Sequence, residues 1–345
     1  MNHKKPPFII PIFLPHQGCP HQCAFCNQNR ISGAPSRLPS KSALTEEINR
    51  YLSFERDQEK EVQIAFYGGN FLGLPMPSII SLLDEAEKFI QAGQVNTIRF
   101  STRPDTIHDQ LLDQLTNYAV STIELGAQSM DDQILALSNR GHTANDTFRA
   151  ASLIQEKKFH LGLQMMTGLP GDNGKQSIET AHRIAALSPD FVRIYPTVVL
   201  SGSPLARSFK NGDYKPMPLE ESVKLVAKIY PIFMEKNIPV IRMGLQASDG
   251  LEDHESILAG PYHPAFGHLV FSEIFLEKIK LQLRNKKDIA GRCLMLNVHS
   301  TSISKTRGLN NQNITTIKKL FQLKSIRVLS NDSIPKDQLT VDIND

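Results

Sequence analysis

Cysteine is scarce in this chain, four in 345 residues, and three of the four, Cys19, Cys23 and Cys26, fall on one short segment. A disulfide scaffold needs cysteines spread so that they pair across the chain, so this distribution excludes one and leaves metal binding or catalysis as the reason for the cluster. Long apolar runs are also missing. The N-terminus opens Met1-Asn2-His3-Lys4-Lys5-Pro6-Pro7 and is apolar only from Phe8 to Leu14, broken by Pro11. That is too short for a membrane span and lacks the cleavage site of a secretion signal, so a cytoplasmic protein with no membrane association is expected. Low-complexity tracts are absent and the formal charge is only +3. A chain of this length without such tracts has the material for a full-sized core, in one large domain or one large and one small.

Short apolar runs alternate with helical periodicity over the first two thirds, which predicts repeated βα units. The strand candidates are Phe8 to Leu14, Val62 to Tyr67, Thr97 to Ser101, Thr122 to Leu125, Leu161 to Met166, Phe191 to Thr197 and Val240 to Leu245. Their near-continuous apolar character suits a parallel sheet covered on both faces. Helical spacing lies between them, as in Ile79, Leu82, Leu83, Ala86 and Ile90, or Phe148, Leu153 and Ile154. The expected fold is α/β, a full or partial barrel over residues 1–248, with its chemistry in the loops after the strands. From residue 249 to 345 the pattern changes to a loop-rich stretch, a basic helix over Leu269 to Lys287 and strands at Leu294 to Val298 and Ser325 to Leu329, which predicts a small α+β extension.

After the first strand comes Gly18-Cys19-Pro20-His21-Gln22-Cys23-Ala24-Phe25-Cys26-Asn27. Thiolates are soft ligands for iron-sulfur clusters and for zinc, and this C-x3-C-x2-C spacing lets one loop wrap three corners of a cubane. A fourth iron is then left for an exogenous chelate. The alternative is a zinc site, open or closed by His16, His21 or the distant Cys293.

With further segments in register, the chain resembles the radical S-adenosylmethionine (SAM) superfamily. Within it the resemblance is closer to the Elongator complex's catalytic subunit and its short bacterial relatives. The matching segments are Phe66-Tyr67-Gly68-Gly69-Asn70-Phe71, Ser101-Thr102-Arg103-Pro104-Asp105, Glu124-Leu125-Gly126-Ala127-Gln128-Ser129, Asn139-Arg140-Gly141-His142, Gly168-Leu169-Pro170-Gly171 and Arg193-Ile194-Tyr195-Pro196. The resemblance implies a partial (β/α)6 TIM-like barrel of radical SAM type, a 4Fe-4S cluster on Cys19, Cys23 and Cys26, and SAM on the cluster's free iron.

It also implies SAM contacts. Gly68 and Gly69 correspond to glycines whose backbone meets the methionyl amino group; an ordinary tight turn is the alternative. Ser101 and Arg103 follow the third strand, where Arg103 would pair with a carboxylate or, alternatively, cap the barrel rim on Asp105 or Glu124. Gln128, Arg140 and Gln164 match polar contacts to SAM in the oxygen-independent coproporphyrinogen oxidases. Tyr195 falls where the family keeps a residue near adenine or substrate, or is a core tyrosine with its hydroxyl satisfied. His254, His263 and His268 read as loop polarity or as proton donors, and Cys293 as a small buried hydrophobe or a redox group.

Between Lys278 and Arg327 the chain carries Lys278, Lys280, Arg284, Lys286, Lys287, Arg292, Lys305, Arg307, Lys318, Lys319, Lys324 and Arg327 against Asp288 alone. Such asymmetry marks an anionic-partner surface or a solvated helix face balanced elsewhere, and only Phe321 there could stack on a base. The Elongator relatives modify tRNA wobble uridine with a fused acetyltransferase domain, which a chain ending at Asp345 is expected to lack. Three expectations follow: a radical SAM enzyme acting on RNA, with a tRNA base as the candidate target; one acting on a small molecule or tetrapyrrole; and a non-enzymatic iron-sulfur or zinc sensor or scaffold. The enzyme readings imply a flavodoxin or ferredoxin as electron donor.

Overall fold

Strand β1 (Phe8–Phe13) pairs in parallel with β2 (Val62–Tyr67), and the relation repeats through β3 (Thr97–Thr102), β4 (Val120–Gln128), β5 (His160–Thr167) and β6 (Phe191–Pro196). Past the short β7 (Val199–Leu200), which pairs antiparallel with β9 (Ile257–Ala259), β8 (Val240–Met243) closes the row against β6. The computed structural model describes residues 6–20, 22–33, 37–245, 256–284, 286 and 288–344. They form two compact units: Met1–Pro218 with Ile229–Tyr262, and Leu219–Lys228 with His263–Asp345. The first holds the seven-stranded parallel sheet, curled into a half-barrel of radical SAM type, and the second is a C-terminal domain.

Helices fill the crossovers: α1 (Gln28–Ser32) and α2 (Lys41–Leu52), α3 (Met76–Gln91), α4 (Asp109–Leu115), α5 (Asp132–Leu137) and α6 (Ala144–Glu156), α7 (Lys175–Ala186), then α8 (Pro204–Lys210) and α9 (Leu219–Glu235). The local reasons are plain in the sequence. Ser40 caps α2, Thr143 and Asp146 form a capping box on α6, and Ser203 with Pro204 starts α8. The apolar periodicity is corrected at one point. Phe148 is 54% exposed, and α6 is buried instead through Ala144, Thr147, Ala150, Ala151 and Ile154, because small side chains let the helix sit close to the sheet.

The strands are less uniform than their apolar content predicts. One face carries Ile64, Phe66, Ile98, Phe100, Ile123, Leu125, Leu161, Leu163, Val192 and Ile194, all essentially inaccessible to solvent. Phe71 stacks there on Phe66 and Phe100, with ring centroids 5.0 and 4.6 Å apart. Each buried side chain of this size stabilises the fold by about 1.5–3 kcal/mol. The intervening residues, on the opposite face, include Gln63, Arg99, Glu124, Gln164 and Arg193, because successive side chains of a strand point to opposite sides.

In the second unit, α10 (Phe266–Arg284) is followed by β10 (Cys293–Val298), α11 (Ile303–Arg307), α12 (Gln312–Leu320), β11 (Ser325–Ser330) and β12 (Leu339–Asn344). Strand β10 is central, parallel to β11 and antiparallel to β12. Phe275, Ile279 and Leu283 of α10 pack with Leu294, Leu296, Val298 and Ile317 into a core of its own. Strand β12 was not among the expected elements, although Leu339, Val341 and Ile343 alternate as a half-buried strand should.

Candidate active site at the ends of the strands

The cysteine loop follows β1 and is held by backbone-deep contacts with the neighbouring loops. Gly18 is packed so closely that a Cβ there would lie 2.1 Å from the Asn70 carbonyl oxygen. A Cβ on Gly69 would meet the Gln17 and Leu14 carbonyls at 2.4 and 2.5 Å. Only glycine permits this approach. Asn70, with no solvent exposure, joins the loops after β1, β2 and β3: its Nδ2 donates to the Gly18 carbonyl (2.9 Å), while its Oδ1 accepts from the Thr102 hydroxyl (2.7 Å) and the Arg103 amide (2.9 Å).

The loop after α5 grips the other side. The Ala24 amide donates to the Ser138 carbonyl at 2.9 Å, Asn139 Nδ2 to the Gln22 carbonyl at 2.7 Å, and Arg140 Nη1 to Cys23 Sγ at 3.1 Å. The same loop completes β4, whose pairing with β5 slips between Leu125 and Gln128. Arg140 Nη2 donates to the Gly126 carbonyl (2.5 Å) and His142 Nε2 lies 3.3 Å from the Ala127 carbonyl, so carbonyls at the irregularity find partners. Gln128 closes it with φ +66°, a left-handed backbone that costs a side-chain-bearing residue about 1–3 kcal/mol and that clusters at functional sites.

Burial pushes the Cys19 thiol up, with Cys23 adding to it and the Arg103 and Arg140 charges opposing; the Cys26 thiol is pushed up to about 12 by burial and by its two neighbours. Without a cation these two sulfurs stay protonated, so metal uptake would release protons.

The expected SAM contacts are distributed as follows. Gly68, with φ +89°, gives its carbonyl to the His16 amide (3.1 Å). Arg103 pairs with Asp105, as the rim-capping alternative has it, through Nε to Oδ1 at 2.9 Å and Nη2 to Oδ2 at 3.0 Å, and Nη2 also reaches the Arg140 carbonyl. Its Nη1 is buried without a hydrogen-bond partner. Gln164 Nε2 donates to Gln128 Oε1 at 3.0 Å, so these two form one unit. Ser101 is half-buried on β3. The Tyr195 hydroxyl accepts from Arg193 Nη1 at 3.3 Å, and its ring joins Phe25 of the cysteine loop against Ile134, Met166 and Leu169.

Comparison with known proteins bears directly on this arrangement. Residues 13–184 match the radical SAM superfamily and residues 189–275 its C-terminal domain. The chain belongs to the radical SAM superfamily. It is 27% identical over 263 residues to an uncharacterised protein of Methanocaldococcus jannaschii, covering 74% of this chain and 79% of that one. It is 30% identical over 152 residues to the tRNA uridine(34) acetyltransferase of the same organism, covering 43% of this chain and only 28% of that relative's length. The fold is similar to that of the archaeal Elp3 of Methanocaldococcus infernus, with a TM-score of 0.59 at 20% identity over 80% of this chain and 64% of that one. Radical SAM proteins use a 4Fe-4S cluster and SAM, and membership makes this protein an enzyme rather than the sensor or scaffold considered above.

The residues present fit these cofactors. Three soft donors share one preorganised loop, and an unpartnered guanidinium nitrogen is buried beside it. Among the described residues no three His, Cys, Asp or Glu side chains converge as ligands of one metal ion. A cubane takes each thiolate on a separate iron and does not require that convergence. His16 Nε2, a candidate zinc ligand, instead accepts the Gln28 amide at 3.0 Å. Cys293 sits on β10 in the second unit, paired by register with Ser325 and Asn344. His21 and His254 lie outside the described residues. His263 accepts the Ala265 amide ahead of α10, and His268 lies within that helix, away from any cysteine in sequence.

One group was missed. On the polar face, Glu124 receives Arg99 (Nη2 to Oε1 2.6 Å), Arg193 (Nε to Oε2 2.8 Å) and the Tyr67 hydroxyl (3.0 Å), while Arg99 Nη1 reaches Gln63 at 3.1 Å. The signal was available, since a charged residue inside an otherwise apolar strand must find a partner.

Proposed function

We propose that Cys19, Cys23 and Cys26 hold the 4Fe-4S cluster, and that the chain binds SAM at its open corner through the backbone of Gly68 and Gly69 and the side chains of Ser101, Arg103, Gln128, Gln164 and Tyr195. When bound, the cluster would supply an electron for reductive cleavage of SAM at its sulfonium. The buried, partnerless Arg103 Nη1 carries this reading. A guanidinium already fixed by Asp105 offers its remaining donor to a carboxylate at small entropic cost. Gln128 and Gln164 hold each other in place and present amides along the strand ends, where ribose hydroxyls can be bonded. The packing of Tyr195 and Phe25 around Met166 keeps water from that side, as a radical intermediate requires.

The substrate class is a nucleic-acid base, and tRNA in particular. Relatives named as tRNA uridine(34) acetyltransferases support this, as do the exposed cations Arg284, Lys286, Arg307, Lys318, Lys319, Lys324 and Arg327 of the second unit. Three other basic residues there are already engaged: Lys278 on the Asp337 carbonyl, Lys280 on Glu277 at 2.7 Å, and Lys305 over the Phe271 ring at 4.4 Å. A flavodoxin or ferredoxin supplies the electron, and the protein works in the cytoplasm. No described helix is long and apolar enough to cross a membrane.

The test is anaerobic reconstitution with iron and sulfide, reduction by dithionite with SAM, and chromatography for 5′-deoxyadenosine. The wild type is expected to yield it and Cys23→Ala to yield none. A loaded, reducible cluster that binds no SAM and cleaves none would overturn the assignment. For the substrate, tRNA retention should fall in Lys318→Gln with Lys319→Gln and with rising salt; unchanged retention would instead favour a small-molecule or tetrapyrrole substrate.

A further inference from the structure

We infer that Arg140 is a positioning residue that raises the reduction potential of the cluster through Cys23, and is not a SAM contact. The inference rests on the ligand assignment above. Arg140 Nη1 stands 3.1 Å from Cys23 Sγ, and both residues are 6% exposed. The guanidinium is fixed from behind by the Gly126 carbonyl at 2.5 Å, and the Arg140 carbonyl takes Arg103 Nη2. On either side, Ser138 and Asn139 bond Ala24 and Gln22. Three consecutive residues therefore clamp the three residues centred on Cys23, so the contact is set by the fold and not by a free rotamer.

The Arg140 guanidinium is a charged donor, and the sulfur it reaches is one of the three proposed ligands. An N–H bond to a coordinating sulfur withdraws electron density from it, and a nearby positive charge stabilises the extra negative charge that the cluster gains on reduction. Both effects favour the reduced state, and burial keeps the charge poorly screened. A cluster tuned in this way is reduced by a milder donor.

The experiment is a potentiometric titration of the reduced-cluster EPR signal in the full chain, reconstituted anaerobically, comparing wild type with Arg140→Met and Arg140→Lys. At the wild-type midpoint the ratio of reduced to oxidised cluster should fall about tenfold in Arg140→Met, a shift of ~59 mV for a one-electron couple. Arg140→Lys, which keeps the charge, should fall between the two, and SAM affinity by calorimetry should hold in both. An Arg140→Met cluster with the wild-type midpoint overturns the inference. Weakened SAM binding at an unmoved midpoint does so as well, and returns Arg140 to the SAM site. If Arg140→Met takes up no iron, Arg140→Gln, neutral but still a donor, carries the same expectation and the same refutation. A wild type that assembles no cluster, or a Cys23→Ala variant that assembles the same one, overturns the ligand assignment instead.

Discussion

The two faces of the seven-stranded sheet are built from the same strands and have opposite chemistry. Along β3, Ile98 and Phe100 are fully buried in an apolar layer, while Arg99 between them is equally hidden yet bonded to Glu124 and Gln63. The apolar face stabilises by removing hydrocarbon from water and tolerates exchange among side chains of similar volume. The polar face has no such latitude. Its central carboxylate, Glu124, serves two guanidiniums and the Tyr67 hydroxyl, whose ionisation is pushed well up first by burial and then by the Glu124 charge. A half-barrel thus keeps its stability on one side and its chemical specificity on the other.

The largest effect should come from breaking the polar face at its centre. Glu124→Ala leaves the buried Arg99 and the half-buried Arg193 without their carboxylate and should cost about 3–5 kcal/mol in urea unfolding. Replacing the set together, as Arg99→Met with Glu124→Leu and Arg193→Met, should cost less than the single change, because no buried charge is left over. If the triple variant were the less stable one, the network would be a source of stability and the contrast between the faces would fail.

Next in size is Asn70→Ala, which strips partners from the Gly18 carbonyl and the Arg103 amide at about 1–3 kcal/mol per buried group. Asn70→Asp keeps the acceptor and loses only the bond to Gly18, so it should lie between wild type and alanine in both stability and iron content. Equal iron content in all three would show that the cysteine loop holds its shape without Asn70.

A smaller effect concerns pH. Burial, helped by the Arg140 and Arg103 charges, lowers the His142 imidazole to about 3, whereas the unfolded chain titrates near 6.5. Between those values the unfolded state binds the extra proton, so this contribution is complete above about pH 6.5 and is lost as pH falls toward 3, at up to ~1.4 kcal/mol per pH unit. The urea midpoint of His142→Asn should vary less across that window than that of the wild type; parallel curves would mean that His142 is not held neutral.

The smallest effect should be that of Cys293→Ser. A half-buried strand residue in the second unit, it should change stability by about 0.5 kcal/mol and leave cluster absorbance untouched. Loss of cluster in this variant would make Cys293 a fourth ligand.

Much of this was legible from sequence. All seven barrel strands, the position of the cysteine loop after the first and the clustering of unusual residues after later strands follow from periodicity and spacing, which are local properties. Helix α6 was found with its buried face misjudged at Phe148, since burial depends on what packs opposite and periodicity cannot say. Strand β12 was missed although Leu339, Val341 and Ile343 alternate locally, and its pairing with β10 is what shows it.

By itself, then, the sequence determined the fold class and the gathering of three cysteines on one loop after the first strand, because strand period and residue spacing are properties of residue types in order. Only the tertiary structure decided the partners. That Arg103 would bond Asp105 and keep one nitrogen free, that Arg140 would reach Cys23, that Gln128 would meet Gln164 and that Glu124 would gather Arg99 and Arg193 all depend on how parallel strands align side by side. Hydrogen bonds and ion pairs are fixed by distances of a few ångströms between residues far apart in the chain, and no local pattern records those distances.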